Sequence, residues 1–149
     1  MGKRGEGWVI LQLVLFAIIL LVPRIPDVIL PVWLRGIGAL FLLAGGISGT
    51  WGVVALGRNL TAVPKPIEDG QLVTAGPYAF VRHPIYTGII LGTLGWALLR
   101  SNLLGVALAL AAFVFFDLKS RQEERWLAEA YAGYPEYQRR VRKLIPWVY

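Results

Sequence analysis

Four apolar runs set the first limit on what this chain can fold into. They occupy residues 8–22, 36–56, 85–99 and 103–116, with polar or basic segments between them. Charged residues make up only 16% of the chain and hydrophobic ones 56%, whereas a soluble domain carries about a quarter charged. Long apolar runs alternating with basic segments are the pattern of a membrane chain. The expectation is an all-α integral membrane protein with about four transmembrane helices, forming a single domain over residues 1–149.

The first run holds Gln12 as its one polar residue, and Pro23 and Pro26 follow it. At 1.5 Å per residue it is a little short for a hydrocarbon core about 30 Å thick, so a tilt or flanking residues must complete the span. Lys3 and Arg4 before an apolar run also open a signal peptide, but no small-x-small cleavage pattern follows, so the run reads as a first membrane helix. The second run is long enough to cross. Its Gly45/Gly49 and Ser48/Gly52 pairs, like Gly88/Gly92 in the third run, have the small-xxx-small spacing that lets helices approach closely. The third and fourth runs are again short. Only Arg100, Ser101 and Asn102 separate them, which predicts an antiparallel hairpin. Residues 117–132 are charged and still helical, with Asp117/Arg121 and Arg125/Glu129 spaced i, i+4. Gly133 and Pro135 stop that helix.

Charge orients the chain. With four spans and a cytoplasmic N-terminus, the inside segments hold Lys3, Arg4, Arg58, Lys65, Arg82, Lys119, Arg121, Arg125, Arg139, Arg140, Arg142 and Lys143. Outside fall Arg24, Arg35 and Arg100. This asymmetry predicts a multi-pass protein of the cell membrane with both termini, the loop 57–84 and a C-terminal helix in the cytoplasm. Trp8, Trp33, Trp51 and Trp96 lie near run ends, as an interfacial belt requires. The net charge of +6 follows from the same asymmetry, so no nucleic-acid partner is expected.

The absence of cysteine excludes disulfides, a thiolate nucleophile and cysteine-bound zinc, and the single histidine, His83, excludes a multi-histidine metal site. No metal is expected. The densest polar signal is Gly76-Pro77-Tyr78-Ala79-Phe80-Val81-Arg82-His83-Pro84-Ile85-Tyr86-Thr87-Gly88, running from the long loop into the third run. The second is Glu123-Glu124, which the hairpin carries back beside His83. Each has a plain reading: a basic loop meeting a helix with Pro84 in its favoured first turn, and a solvated helix face. Their conjunction, with Tyr-Pro-Glu-Tyr and Ile145-Pro146 downstream, points to a site.

The ordered segments LVTAGPYAFVRHPIYTG, RQEERWL and YPEYQRRVRKLIP resemble the isoprenylcysteine carboxyl methyltransferase family, itself similar to the phospholipid N-methyltransferases. The resemblance covers roughly residues 57–146, making these the catalytic region and residues 1–56 two N-terminal transmembrane helices. It implies an S-adenosylmethionine site formed by Gln71, Leu72, Val73, Tyr78, His83, Pro84, Ile85, Tyr86 and Glu123. Where the family's eukaryotic members place a substrate-contacting arginine, this chain has Lys119, with Arg121 two residues on. Lysine offers a point charge rather than a bidentate fork.

The residue types suit that cofactor: a carboxylate at Glu123 for an ammonium or ribose, and the rings of Tyr78 and Tyr86 for an adenine or a cation. A carboxylate nucleophile needs no base, whereas an amine must lose a proton, with Glu124 or a lipid phosphate as the candidates. The acceptor implied is a lipophilic molecule or a lipid, most simply a prenylcysteine-like carboxylate, with a phospholipid amine as the alternative. An NADPH-dependent membrane reductase and a non-catalytic membrane subunit are the competing classes. The cofactor is expected from the cytoplasm and the acceptor from the bilayer, past Gly88 and Gly92. Oligomeric state is left open.

Overall fold

The computed structural model describes residues 2, 4–23, 29–67 and 69–149. Lys3, Arg24 and Pro26, used above to orient the chain and end its first run, lie outside the described residues. The elements are helices α1 (Glu6–Leu21), α2 (Val32–Leu56), α3 (Pro84–Leu99), α4 (Leu103–Ala130) and α5 (Tyr134–Arg140), with single 3₁₀ turns at Gly57–Asn59 and Gly76–Ala79. No strand occurs among the described residues, only an isolated parallel bridge between Val81 and Arg142.

Two helices are long and apolar enough to cross a membrane, α2 with 25 residues and α4 with 28. At 1.5 Å per residue these are about 37 and 42 Å long. Helices α1 and α3 have 16 residues each, about 24 Å, and are apolar but shorter than the hydrocarbon core. Leu20, Leu21, Leu40, Leu43, Ile47 and Leu110 are all exposed, an outward apolar surface that suits lipid rather than water.

Two element boundaries differ from expectation. Helix α2 begins at Val32, because Pro31 sits extended at its N-cap and the chain turns helical immediately after it. The charged segment after the fourth run is not a separate helix. It continues α4 without a break to Ala130, since no Gly or Pro interrupts residues 106–132. The turn before α4 is held by Asn102, whose side chain accepts from the Gly105 N–H at 3.1 Å. Of the two i, i+4 pairs, Asp117–Arg121 forms at 2.7 Å. Among the described residues no ion pair joins Arg125 to Glu129.

Helices α2 and α3 pack antiparallel, backbone on backbone. A Cβ added at Gly45 would lie 2.6 Å from the Gly92 nitrogen, and one at Gly88 would lie 2.6 Å from the Gly49 nitrogen. The buried glycines are Gly38, Gly45 and Gly52 on α2 and Gly88 and Gly95 on α3. Their spacing is seven, the repeat of left-handed helix packing. The four-residue spacing read from the sequence is therefore only half the story. Gly92 faces open space and Gly49 touches its neighbour only at 3.9 Å. Ser48 contributes differently, its hydroxyl donating to the Pro84 carbonyl at 2.9 Å. At Gly88 the α2 backbone leaves no room for a side chain, while an open cleft on the same face is lined by Gly46, Gly49, Gly88 and Gly92.

The segment after α5 folds back and ties the bundle's polar end. Arg142 and Lys143 carbonyls accept from the N–H groups of Arg82 (2.8 Å) and His83 (3.1 Å). The Leu144 carbonyl accepts from the Thr87 hydroxyl at 2.7 Å. Lys143 Nζ donates to Asp117 Oδ1 at 2.6 Å, and the Tyr149 hydroxyl to the same oxygen at 2.7 Å.

Candidate active site

The site forms where the long loop runs into α3. Pro84 opens α3 at its first position and His83 is the N-cap, with φ −128° and ψ 63°. A proline there costs no helix hydrogen bond, and it starts the helix immediately beyond His83. The His83 carbonyl accepts from the Thr87 N–H at 3.0 Å. The imidazole is buried and stacks on Tyr86, with ring centroids 5.3 Å apart and planes 5° from parallel. Tyr86 in turn stacks on Phe116 of α4 at 4.7 Å.

The two glutamates of α4 receive this stack differently. Glu123 Oε2 accepts from the Tyr86 hydroxyl at 2.7 Å and lies 3.8 Å from His83 Nδ1. Glu124 is turned into the protein. Its Oε1 meets Arg82 Nε at 2.8 Å and His83 Nε2 at 3.0 Å, and its Oε2 accepts from Gln138 at 2.9 Å. Arg82 also donates to the Gln138 carbonyl at 3.1 Å and to the Val141 carbonyl. Arg82 and Glu124 thus bind α4, α5 and the start of α3 into one unit.

A cavity opens beside this unit. Of the residues singled out from the sequence, Gln71, Leu72, Val73, Tyr78, His83, Ile85, Tyr86, Lys119 and Glu123 line it. Pro84 does not line it and packs towards Gly52 instead. Arg121 does not line it either, because its guanidinium is spent on Asp117 and its side chain is 59% exposed. Glu124 lies behind the wall, with both oxygens already hydrogen-bonded, so it is not placed as a base for an acceptor amine. Lys119 is buried, donates to Gln12 Oε1 of α1 at 2.5 Å, and lies 5.3 Å over the Tyr86 ring.

Several lining residues carry no local sequence signal for this role. Gln12 comes from α1, Asn59 from the 3₁₀ turn after α2 and Tyr131 from the C-cap of α4, whereas Tyr134 and Tyr137 belong to the Tyr-Pro-Glu-Tyr segment already singled out. Asn59 holds the loop, its Oδ1 accepting from the Gln71 N–H at 3.0 Å. Tyr137 donates to the Tyr78 carbonyl at 2.7 Å and Tyr78 to the Gly52 carbonyl at 3.3 Å. Burial pushes the phenols of Tyr78, Tyr134 and Tyr137 well above the ordinary tyrosine range, with Glu123 adding to the effect at Tyr78 and Glu124 at Tyr134. All three stay neutral and able to donate. Tyr134 is 2% exposed, and among the described residues its hydroxyl has no hydrogen-bond partner.

At the polar end of the helical bundle a His–Glu–Arg cluster thus adjoins a tyrosine-rich cavity. The profile of the phospholipid methyltransferase family matches residues 33–133, and the chain belongs to that family. Protein-S-isoprenylcysteine O-methyltransferase B of Arabidopsis thaliana is 29% identical over 120 residues, 78% of this chain and 61% of that one. The Schizosaccharomyces pombe protein-S-isoprenylcysteine O-methyltransferase is 31% identical over 112 residues, 72% of this chain and 48% of that one. The cobalt-zinc-cadmium resistance protein CzcN of Cupriavidus metallidurans is 39% identical over 80 residues, 53% of this chain and 37% of that one. Among solved structures, the eukaryotic intramembrane Ras methyltransferase ICMT (isoprenylcysteine carboxyl methyltransferase) superposes with a TM-score of 0.70 at 30% identity, over 78% of this chain and 43% of that one. The chain therefore has an ICMT-like helical fold and spans between about a third and three fifths of the length of these relatives.

Proposed function

We propose that the chain is an S-adenosylmethionine-dependent membrane methyltransferase acting on a lipophilic acceptor, with a prenylcysteine-like carboxylate as the nucleophile. The observation that carries this reading is the cavity itself. It gathers a carboxylate (Glu123), stacked aromatic rings (His83 and Tyr86) and a buried ammonium (Lys119) on one wall system.

Those groups fit the cofactor's parts. When bound, S-adenosylmethionine supplies a methyl group on a sulfonium. Glu123 would face its cationic or ribose groups, Tyr78 and His83 would offer flat faces, Tyr86, whose ring already stacks on His83 and Phe116, would hold Glu123 through its hydroxyl, and Gln71, Leu72 and Val73 line the loop side of the cavity. Ile85 contributes apolar wall and Pro84 fixes where α3 begins. Lys119 provides the charge that draws an anionic oxygen into line, and Tyr86 beneath it holds the ammonium in place. The loop, α4 and α5 wall the cavity, and a site screened from water would favour a step that annihilates charge. Alignment of nucleophile and methyl group supplies most of the remaining acceleration.

Four spans, with α1 and α3 tilted or completed by flanking residues, and the site and both termini in the cytoplasm, are part of the same reading, supported by the charge asymmetry. So is the assignment of residues 57–146 as the catalytic region. The family match favours a second acceptor, a phospholipid amine. The test is to incubate purified protein with methyl-labelled S-adenosylmethionine, an N-acetyl-S-farnesylcysteine acid and, separately, phosphatidylethanolamine vesicles. A methyl ester releases labelled methanol in base and an N-methyl product does not. Base-labile label on the prenylcysteine supports the reading. Base-stable label on the phospholipid replaces it with the second.

A further inference from the structure

The reading above leaves α1 without a role. Helix α1 lies outside residues 57–146, outside the family match at 33–133, and contributes no buried residue of its own. Yet its single polar side chain in the run 8–22, Gln12, lines the cavity and accepts from Lys119 Nζ at 2.5 Å. A glutamine in an otherwise apolar membrane helix is costly unless it has a partner. Here the partner is a lysine that is itself only 3% exposed.

The Lys119 ammonium feels Glu123, one turn along α4, only through space. Among the described residues no carboxylate lies within ion-pair distance of it. Glu123 and Glu124, one turn along α4, are engaged by Tyr86 and by Arg82, His83 and Gln138. Lys119 has three donors, and Gln12 accepts one. The ring of Tyr86 underlies the charge at 5.3 Å. A buried ammonium with donors to spare, on a cavity wall, is poised for an anionic ligand atom. A carboxylate partner in place of the neutral amide would have neutralised it.

We propose that Gln12 is a positioning residue, which holds the Lys119 ammonium at the cavity wall without pairing it to a carboxylate, so that α1 completes the acceptor's anion subsite. The subsite is built from α1 and α4 together, and its ligand is the acceptor's carboxylate. This rests on the methyltransferase reading. It goes beyond it in assigning part of acceptor selection to a helix outside the matched region.

The test compares Gln12→Glu, Gln12→Met and Lys119→Met with the full-length parent in lipid nanodiscs. Thermal stability, S-adenosylmethionine affinity by calorimetry, and KM and kcat for N-acetyl-S-farnesylcysteine are measured. Binding of that acid is compared with binding of its neutral methyl ester. Gln12→Glu keeps the α1–α4 contact and strengthens it as an ion pair, but cancels the free charge. The expected result is unchanged cofactor affinity, undiminished stability, a KM for the acid raised roughly tenfold or more, and loss of the parent's preference for acid over ester. Gln12→Met, which releases the ammonium, is expected to raise KM more than it lowers kcat. If Gln12 merely glues two helices, Gln12→Glu leaves acceptor KM and the acid/ester ratio at parent values, and the proposal is overturned. Should Gln12→Glu not fold, a parental acid/ester ratio in Gln12→Met overturns it equally. Lys119→Met separates the layers. If it raises KM and neither Gln12 variant does, only the role of Gln12 falls. If it too is silent, or the parent binds no S-adenosylmethionine, the underlying reading falls and takes the proposal with it.

Discussion

His83 Nε2 lies 3.0 Å from Glu124 Oε1, joining the first residue before α3 to the middle of the charged half of α4. Glu124 shares the same oxygen with Arg82 at 2.8 Å, and its side chain is only 9% exposed. Glu124 thus fixes the histidine that faces the cavity without facing it itself. Truncating one partner of a buried, hydrogen-bonded charge cluster leaves the other charge uncompensated. Glu124→Ala is expected to lose about 3 kcal/mol or more of stability, read as a lowered midpoint of thermal unfolding in detergent. A parental midpoint would show that the cluster contributes nothing.

The neighbouring carboxylate should behave in the opposite way. Among the described residues Glu123 has one hydrogen bond, from Tyr86, and it lines the cavity. Glu123→Ala and His83→Ala are expected to weaken S-adenosylmethionine binding roughly ten- to a hundredfold, the value of one hydrogen bond to a charged group. Glu123→Ala should do so with little change in stability. Calorimetry on folded variants checks this, and wild-type affinity in both would remove the site assignment.

Gly88 and Gly92 are four residues apart but not equivalent. A methyl group at Gly88 meets the α2 backbone at 2.6 Å, whereas one at Gly92 meets nothing within 4 Å. Gly88→Ala is therefore expected to cost about 1–3 kcal/mol through overpacking, and Gly92→Ala to be close to neutral. Equal midpoints for the two variants would mean that α2 and α3 are not in backbone contact.

The orientation has a direct test, because the chain contains no cysteine. Ser101 and Ser120 are buried and make poor labelling sites, whereas Arg100 and Arg139 are exposed. Arg100→Cys should react with an impermeant maleimide only from outside the cell, and Arg139→Cys only after the cytoplasmic face is opened. Labelling of both from one side would refute the four-span arrangement.

Buried phenols make a pH prediction. The folded-state pKa values of Tyr78, Tyr134 and Tyr137 are raised by burial, so the unfolded chain ionises first, near pH 10. Their contribution to stability is fully present below that value and is lost as pH rises through the folded-state values. Tyrosinate absorbance should show these three silent until the alkaline unfolding transition. Their titration near pH 10 in a still-folded protein would place them in water.

The fold was largely legible because lipid imposes a pattern that local composition displays. Apolar runs, the Arg100–Asn102 turn and the start of α3 at Pro84 all follow from chemistry within a few residues. The pairing of His83 with the Glu123–Glu124 region followed from hairpin geometry alone. Division of labour between the two glutamates was not legible. Adjacent residues on a helix point about 100° apart, and only the packed partners decide which one faces the cavity.

Arg121 and Lys119 show the same limit. Both are basic and two residues apart, yet Asp117 captures one while the other stays buried beside Gln12. By itself the sequence determined a helical membrane chain, the asymmetry of its charges and the segments that carry its polar chemistry, because these depend on periodicity and residue type. Only the tertiary structure decided which side chains share the cavity: Gln12 and Lys119 are 107 positions apart. Contact across that separation depends on how α1 and α4 cross, which no local pattern encodes.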